Sequence, residues 1–325
     1  MKTFVRGFVA LAAALGVPLV AFAQAGYPAK PVRIIVPFSA GGVADALPRI
    51  VGEKLSQKWG QPVIVENKVG ASGNIGMAEG ARAAPDGYTL VLAPTGNLTV
   101  NPSLFPNLPF DTHKDLIPVT LLAESQNVLV VHPSVPAKSF RDLVAYAKAN
   151  PDKLSFASPG EGSGAHLAGE LLKIDAGIQA LHVPYKGIAP AVNDLLGGTV
   201  TMMFAGISTI LPHVKGGKLN AIAIASPRRN PQLPDVPTVA ESGLPGFDVT
   251  SWYGIVVPAG TPPAIVQKVQ RDMAEALASE DVKGKLAGLG LDPVGNTPDA
   301  FDKVIKAETR KWTDIVRKAN IKPQQ

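Results

Sequence analysis

The sequence contains no cysteine among its 325 residues. Disulfide bonds, thiol nucleophiles, thiolate metal ligands and a lipid-modified cysteine are therefore excluded. A protein without disulfides depends on a full-sized hydrophobic core, and 46% of these residues are hydrophobic. An exported protein of this composition fits a bacterial periplasm better than a eukaryotic extracellular space.

Apolar runs long enough to span a membrane are also missing beyond the N-terminus, since none reaches the ~20 residues required. The N-terminus itself has a basic start at Lys2 and Arg6 and an uncharged apolar stretch over Gly7–Val20. Ala21-Phe22-Ala23 follows and fits the small-x-small rule for signal cleavage. We predict a cleaved signal peptide, a mature chain starting near Gln24 and a periplasmic location. The alternative is an uncleaved membrane anchor.

Clusters of like charge are absent as well. The formal net charge is +5, and loss of Lys2 and Arg6 leaves about +3, from 29 basic against 26 acidic residues. The basic residues are scattered, and Arg228-Arg229 is only a pair. We therefore expect no nucleic-acid partner.

Recognisable catalytic and metal-binding patterns are missing too. The sequence has no Gly-x-Ser-x-Gly elbow and no credibly placed pair of acids. Its five histidines lack the spacing of metal ligands: His113, His132, His166, His182 and His213. His166 is the one candidate for a general base, although a lone histidine is more often a structural hydrogen-bonding group. The sequence predicts no cofactor, no metal and no enzymatic activity.

What the sequence does contain is a glycine turn between a strand and a helix. The apolar run Val32–Val36 predicts a buried strand, and Ala46–Leu55 has the apolar spacing of a helix. Between them, Phe38-Ser39-Ala40-Gly41-Gly42 would leave unpaired backbone N–H groups at a helix N-terminus, which suits a carboxylate or phosphate. Asp45, at the start of the helix, could simply stabilise its dipole. The alternative is an ordinary βα turn.

The alternation of strand and helix continues along the chain. Pro62–Val65 and Tyr88–Ala93 predict strands on either side of a helix over Gly73–Ala84. A βαβαβ order favours a mostly parallel sheet covered by helices. The third strand ends in the polar turn Pro94-Thr95-Gly96-Asn97, at the edge of the sheet where ligands bind in open α/β proteins.

A second block repeats this βα rhythm, with a predicted domain crossing at Ala123–Asn127. Ser251–Pro258 predicts a strand that leads back, and the C-terminal helix over Asp299–Ala319 is expected to pack on the first domain. We predict a signal peptide (1–23), a discontinuous first domain (24–126 plus 250–325) and a second domain (127–249). Two α/β lobes leave a cleft between them, which is a common ligand site.

A second glycine-rich loop runs from Ser158 to His166, again between a strand and a helix. Gly160-x-Gly162-x-x-Ala165 formally satisfies a relaxed dinucleotide pattern, but the next strand ends in Lys186 without the acid that would bind a ribose. The loop therefore offers backbone donors and the hydroxyls of Ser158 and Ser163 to a second anionic group, or to water.

Taken together, the motifs resemble the Bug (TctC-like) family, the periplasmic solute-binding proteins of tripartite tricarboxylate transporters. The resemblance spans essentially the whole mature chain. The motifs that carry it are Phe38-Ser39-Ala40-Gly41-Gly42-x-x-Asp45, Val65-Glu66-Asn67-Lys68-x-Gly70-Ala71-x-Gly73-Asn74-Ile75-Gly76, Pro85-Asp86-Gly87-Tyr88-Thr89-Leu90, Asn101-Pro102, Gly162-Ser163-x-x-His166-Leu167, Val183-Pro184-Tyr185-Lys186-Gly187, Asp235-Val236-Pro237-Thr238-x-x-Glu241-x-Gly243, Ser251-Trp252-Tyr253-Gly254 and Pro258-Ala259-Gly260-Thr261-Pro262.

The resemblance implies a two-domain α/β fold of the type II periplasmic-binding-protein class, with a ligand cleft between the lobes. It also implies a small carboxylate ligand, the integral membrane permease subunits of a tripartite tricarboxylate transporter as partners, and a monomer. Carried over to this chain, the ligand-binding residues would be Phe38, Ser39, Ala40, Gly41, Gly42, Asp45, Thr95, Asn97, Ser158, Gly162, Ser163, His166, Ala205, Ser208, Trp252 and Tyr253.

One segment departs from the family pattern. Members often carry acids in and after the strand that corresponds to Val200–Gly206, whereas both acids are missing here. Their absence argues against an ammonium-bearing ligand such as an amino acid. Lys186 is either a ligand partner or a solvated surface charge.

The resulting hypothesis is a binding protein that delivers a small organic carboxylate to a permease. Two alternatives stay open at this point. A periplasmic hydrolase or lyase would need His166 as its base. A sensory protein that presents its ligand to a receptor kinase would have the same pocket, so the sequence cannot separate it from an uptake protein.

Overall fold

The computed structural model describes residues 26–321. The predicted signal peptide and its cleavage site lie outside the described residues. Over 26–321, no helix combines the length and the apolar character that crossing a membrane requires.

The described chain alternates strands with helices. The strands are β1 Val32–Val36, β2 Val63–Asn67, β3 Thr89–Pro94, β4 Leu116–Ser125, β5 Asn127–Val131, β6 Ser155–Ser158, β7 Leu181–Pro184, β8 Met202–Gly206, β9 Asn220–Ile224, β10 Ser251–Pro258 and β11 Leu291–Pro293. The α-helices are α1 Val43–Trp59, α2 Asn74–Ala81, α3 Asn101–Leu104, α4 Phe140–Ala149, α5 Gly164–Ala176, α6 Ile188–Leu196, α7 Ile207–Lys215, α8 Pro263–Ala278, α9 Glu280–Gly288 and α10 Pro298–Lys318. A 3₁₀ turn over Ala71–Gly73 and a π-helical turn over Gly96–Val100 precede α2 and α3.

The first sheet has six strands in the order β11-β4-β10-β3-β1-β2. Strands β1, β2 and β3 are parallel, as the βαβαβ order predicts. The prediction of a mostly parallel sheet is wrong for the other half, because β10 is antiparallel to both β3 and β4, and β11 is antiparallel to β4. Strand β10 arrives from the other sheet without a crossover helix, so nothing requires it to run parallel to β3.

The second sheet has five strands in the order β7-β6-β8-β5-β9. The chain enters it between β4 and β5 at Gln126 and leaves it between β9 and β10. The two crossing segments are tied together, since the Asn127 side-chain amide donates to the Val249 carbonyl (2.7 Å) and to Ser251 Oγ (3.1 Å). The fold is therefore a two-lobe α/β architecture, with one sheet in each lobe.

Each sheet is covered by helices on both faces, which explains the continuous apolar character of its strands. In the first sheet, Ile34 packs with Leu47 and Val51 of α1. Its neighbour Ile35 points to the opposite face and packs with Met77 of α2. Burial on both faces fixes the register of β1 and hence the position of the loop that follows it.

The C-terminal helix α10 contacts both lobes. Phe301 and Ile305 pack into the core of the first sheet, where the tail was expected. Trp312 and Ile315, however, pack into the core cluster that includes Leu167 of helix α5 in the second lobe. The prediction that the tail packs on the first domain therefore holds only for the first half of the helix, because its apolar stripe is long enough to reach both cores.

Candidate ligand-binding cleft

The two glycine-rich loops face a common hollow between the sheets. A cavity of about 360 Å³ is lined by Phe38 and Asn97 from the first lobe and by Gly162 and Ser163 from the second. A smaller chamber of about 130 Å³ adjoins it, and Pro94, Gly96 and Gly164 line both. We call the larger space the outer cavity and the smaller one the inner chamber.

Asp45 holds the first glycine loop in place. Its buried carboxylate accepts hydrogen bonds from the Gly41 backbone N–H (3.0 Å), the Arg49 guanidinium (3.0 Å) and the Asn67 amide (2.9 Å). The hydrogen bond from Arg49, helped by those from Gly41 and Asn67, lowers the pKa of Asp45 to about 2. Asn67 also donates to the Phe38 carbonyl (2.9 Å). Asp45 is therefore a positioning residue for this loop and does not line the cavities.

The rest of the first loop lies beside the outer cavity. Ser39, Ala40, Gly41 and Gly42 are exposed, and Phe38 is the residue of this loop that lines the cavity. Gly41 has φ = +93°, a left-handed conformation that favours glycine. The loop leads directly into α1, whose first N–H groups have no intrahelical partner.

A left-handed turn over Gly70–Gly73 forms a wall that sequence reasoning did not assign to the site. All four residues have positive φ, including Ala71 (+46°) and Ser72 (+54°). The Ser72 carbonyl accepts hydrogen bonds from the side chains of Asn97 (2.9 Å) and Asn101 (3.3 Å), and all three residues line the outer cavity. Two consecutive non-glycine residues in this conformation are strained, and strain of this kind is often found at ligand sites.

Asn97 and Thr95 follow the end of β3 and occupy different spaces. Asn97 is 2% exposed, and a Cβ added to Gly73 would lie 2.6 Å from its Nδ2 atom. The glycine therefore lets the turn approach the amide closely. Thr95 lines the inner chamber, and its hydroxyl accepts from the Trp252 backbone N–H (2.8 Å) and donates to the Trp252 carbonyl (3.1 Å). These two bonds join the end of β3 to β10.

In the second lobe, the hydroxyls of the glycine loop make internal hydrogen bonds. Ser158 is fully buried and donates to the Gly160 carbonyl (2.9 Å), while its oxygen lies 2.7 Å from His182 Nε2. Ser163 also donates to the Gly160 carbonyl (2.6 Å) and caps α5 by accepting from the His166 backbone N–H (3.4 Å). Ser158 therefore fixes the conformation of the loop without lining the outer cavity, whereas Ser163 both fixes the loop and lines this cavity.

The buried His166 and the half-buried His182 form a stacked pair beneath this loop. Their ring centroids are 3.8 Å apart at an interplanar angle of 4°, and His166 Nδ1 accepts from the Gly162 backbone N–H (3.0 Å). Burial lowers the pKa of each ring to about 4, and His182 and Lys173 contribute to the effect on His166. His166 is thus neutral near pH 7 and holds the Gly162 amide in place. The sequence suggests His166 as a ligand contact or a general base. In the structure, His166 does not line either cavity.

Ala205 and Ser208 also lie outside the two cavities. Ala205 is buried in β8, between two neighbouring strands, and pairs with Val128 of β5. Ser208 is exposed at the start of α7 and packs against Gly290, where an added Cβ would lie 2.9 Å from the Ser208 Cβ. Strands β6 and β8 are parallel and end at the same edge of the second sheet, but the end of β8 lies beside Asn127 of the crossing segment, and neither residue lines the cavities.

Trp252 and Tyr253 both line the inner chamber. Trp252 is 3% exposed and packs edge-on against Phe301 at a centroid distance of 5.3 Å. Burial raises the pKa of Tyr253 above its ordinary value. Trp312 of α10 completes the aromatic lining, with its indole N–H donating to Glu308 (2.7 Å). The contribution of α10 could not be recognised from its sequence, since a core position and a chamber wall have the same helical spacing.

Comparisons with known proteins identify relatives of this chain. The model of the tripartite tricarboxylate transporter family receptor matches residues 47–321. BugT from Bordetella pertussis is 40% identical over 297 residues, which cover 91% of each chain. A solved structure of a periplasmic transporter is 44% identical, covers 91% of this chain and 99% of its own, and superposes with a TM-score of 0.78.

A second solved structure is that of Rpa4515 from R. palustris, determined with adipate. It is 33% identical, covers 92% of this chain and 100% of its own, and has a TM-score of 0.80. The two-lobe fold described above is the fold of these periplasmic proteins. The chain therefore belongs to the family of tripartite tricarboxylate transporter receptors.

Proposed function

We propose that this protein is a periplasmic solute-binding protein that captures a small organic carboxylate in the cleft and delivers it to the permease subunits of a tripartite tricarboxylate transporter. The observation that carries the proposal is the shared lining of the outer cavity, where Phe38 and Asn97 face Gly162 and Ser163. Contacts from both lobes favour a closed state around the ligand. The adipate in the Rpa4515 structure supports a carboxylate as the ligand.

In this proposal the carboxylate lies near the N-terminus of α1. The free N–H groups at the start of that helix, together with Ser39, Ala40 and Gly42, would meet it as the lobes close. Asn97, Ser163 and the Gly162 backbone lie on the cavity wall, and Thr95, Trp252 and Tyr253 border the inner chamber. Asp45, Ser158 and His166 would support binding indirectly, by positioning the glycine-rich loops through hydrogen bonds.

The domain organisation and the cellular address belong to the same proposal. The first domain comprises 24–126 and 250–325, the second comprises 127–249, and residues 1–23 direct export and are removed. N-terminal sequencing of protein recovered from the periplasm of an expressing bacterium should begin at or near Gln24. Recovery of an intact Met1 chain in the membrane fraction would contradict the proposed address.

A binding role also explains the state of His166. A general base needs a free nitrogen directed at its substrate. Here Nδ1 already accepts from the Gly162 N–H, and the ring is 6% exposed against His182. These contacts support a structural role for the imidazole in a protein that binds without transforming its ligand.

Isothermal titration of ligand-stripped protein against a library of small carboxylates tests the binding function. We expect at least one acid to bind and to reduce the radius of gyration measured by X-ray scattering. Folded protein that binds none of them would overturn the proposal.

A charge variant locates the site. Phe38→Asp places a negative charge on the wall of the outer cavity and should weaken carboxylate binding by about tenfold or more. Ile174→Asp is the matched control, since Ile174 is exposed near the far end of α5, about 15 Å along the helix from Gly164. Equal effects of the two substitutions would place the ligand elsewhere.

A further inference from the structure

An ion pair joins the two lobes on the side of the crossing strands that is remote from the cleft. We propose that this pair, Arg228 with Asp292, stabilises the open arrangement of the lobes and thereby lowers the affinity for the ligand. The inference rests on the proposed function, because only a protein that closes around its ligand gains affinity when its open state is weakened.

The order of the strands places the cleft and the ion pair on opposite sides of the crossing. In the first sheet, β3, β1 and β2 lie on one side of β10 and β4, and β11 lies on the other. The first-lobe loops that line the outer cavity follow β1, β2 and β3, and the second-lobe loop follows β6. In the second sheet, β6 and β9 lie on opposite sides of β5. The outer cavity and β11 therefore flank the region where the chain crosses between the lobes.

Two contacts join the lobes at β11. Arg228, which follows β9 of the second lobe, pairs with Asp292 of β11 at 2.9 Å between Nη2 and Oδ2. Gly290, just before β11, lies against Ser208 of the second lobe. The backbone of Arg228 is itself held in place, since its carbonyl accepts from the side-chain amide of Gln126 (3.1 Å). The ion pair therefore depends on where β11 stands relative to the second lobe.

The charges around Arg228 make its departure unfavourable. Asp292 stands directly opposite Glu124 in the antiparallel pairing of β11 with β4, so two carboxylates share this edge of the first lobe. Burial raises the pKa of Glu124, and the charge of Arg228 opposes this shift while Asp248 and Asp292 add to it. Without the guanidinium, Glu124 and Asp292 would face each other as like charges, which destabilises a strand pair.

Closure of the cleft has to move this contact. Residues 39–42 are exposed, so the second lobe must approach them in order to surround a ligand. Helix α10 packs on β10 through Phe301, which lies against Gly254, so the pivot lies between the cleft and β11. A hinge rotation about this region separates Arg228 from Asp292, and a twist slides them past each other. Either motion exchanges the ion pair for contacts with the ligand.

The exposure of the pair sets the size of the effect. The side chains of Arg228 and Asp292 are 64% and 48% exposed. An exposed ion pair changes an equilibrium by about twofold to fivefold. Loss of Arg228 should raise the ratio of closed to open molecules, and with it the affinity for a carboxylate, by this factor.

Calorimetry on ligand-stripped protein tests the effect on affinity. Adipate is the probe, and an acid that binds in the library titration replaces it if the wild type does not bind adipate. We expect Arg228→Ala to bind the acid about twofold to fivefold more tightly than the wild type. The gain should shrink in ~0.5 M NaCl, because salt screens an exposed ion pair. Arg229→Ala is the matched control, since Arg229 pairs with Glu241 inside the second lobe (2.9 Å), and it should bind as the wild type does.

Asp292→Asn removes the same pair from the side of the first lobe. It should give a similar gain, and the double variant with Arg228→Ala should gain no more than either single one. Spin labels report the position of the lobes without any ligand. The chain has no cysteine, so labels at Val69→Cys and Lys186→Cys would be unique, one at an exposed position of each lobe. Arg228→Ala should shift the label distances toward those of the acid-bound protein, and Arg229→Ala should not.

An affinity that is unchanged or weaker in folded Arg228→Ala and Asp292→Asn proteins would overturn this inference and leave the carboxylate-binding function intact. A gain that Arg229→Ala reproduces would do the same, because it would reflect net charge rather than the contact at β11. Failure of every carboxylate to bind would overturn the function itself. In that case, label distances that do not respond to Arg228→Ala would overturn the role of the ion pair as well.

Discussion

Acidification from pH 7 to pH 5 should loosen the loop above His166 and His182. The two rings are stacked at 3.8 Å, and His166 Nδ1 accepts a hydrogen bond from the Gly162 N–H. A protonated Nδ1 cannot accept that bond, and two imidazolium rings at this distance repel each other. The loop lines the outer cavity, so ligand affinity should fall together with stability.

The lowered pKa of the two rings sets both the direction and the size of the effect. Burial lowers each pKa from 6.5 to about 4, so the unfolded chain takes up more protons than the folded one between these values. The stability is therefore complete above pH 6.5 and is lost as the pH falls toward 4. The full difference corresponds to about 3 kcal/mol per ring, of which about 2 kcal/mol is already lost at pH 5. Part of the effect on His166 is repulsion from His182, so the two rings together contribute less than twice this amount.

Urea unfolding at several pH values between 7.5 and 4.5 measures this loss. The wild type should be compared with the double variant His166→Gln/His182→Gln, in which neither side chain titrates and the amide oxygen introduced at position 166 can still accept from the Gly162 N–H. We expect a steeper fall in the wild type by a few kcal/mol. Asp45 does not interfere, because its pKa is about 2 and its contribution is lost only below pH 3.8. Equal pH dependence of the two proteins would refute the reasoning.

Two further substitutions test the supports of the site. Asp45→Ala should lower the free energy of unfolding at pH 7 by about 2 kcal/mol. The difference from the wild type, measured by urea titration, should narrow as the pH falls from 3.8 toward 2. A difference that stays constant over this range would argue against the ion pair. Gly73→Ala should cost about 2 kcal/mol or more and weaken ligand binding, since φ is +90° and the new Cβ would meet Asn97. Gly284→Ala is its control, because nothing lies within 4 Å of a Cβ in this helical position, and it should stabilise the protein by about 0.5–1 kcal/mol. Equal effects of the two glycine substitutions would contradict the close approach.

Elements with a strong local signal could be predicted from the sequence. The bounds of β1 and β10 match the apolar runs that predict them. Helices α7 and α9 have no predicted counterpart. Pro212 lies inside the first, and the second was obscured by the glycines around its end. The antiparallel half of the first sheet depends on how the chain returns from the second lobe, which no local pattern encodes.

The residues that line the cavities could be predicted where the lining follows from the position of a loop, and less well where it follows from backbone conformation. Phe38 and Asn97 line the outer cavity because they follow β1 and β3, whose carboxyl ends meet at one edge of the sheet. Ser72 could not be found in this way, since its left-handed backbone is imposed by tertiary contacts rather than by its side chain. Ser208 was assigned by resemblance, and its exposed position against Gly290 becomes visible only when α7 and β11 are placed.

The packing of α10 across both cores restricts how the lobes can separate. A rotation about the crossing strands alone would pull Trp312 and Ile315 away from the second lobe, or Phe301 from the first, and would expose buried aromatic surface. The motion that conserves both contacts is a twist about an axis close to that of α10, which slides the walls past each other. Helix α10 therefore limits the relative motion of the lobes to rotations that keep its contacts with both cores.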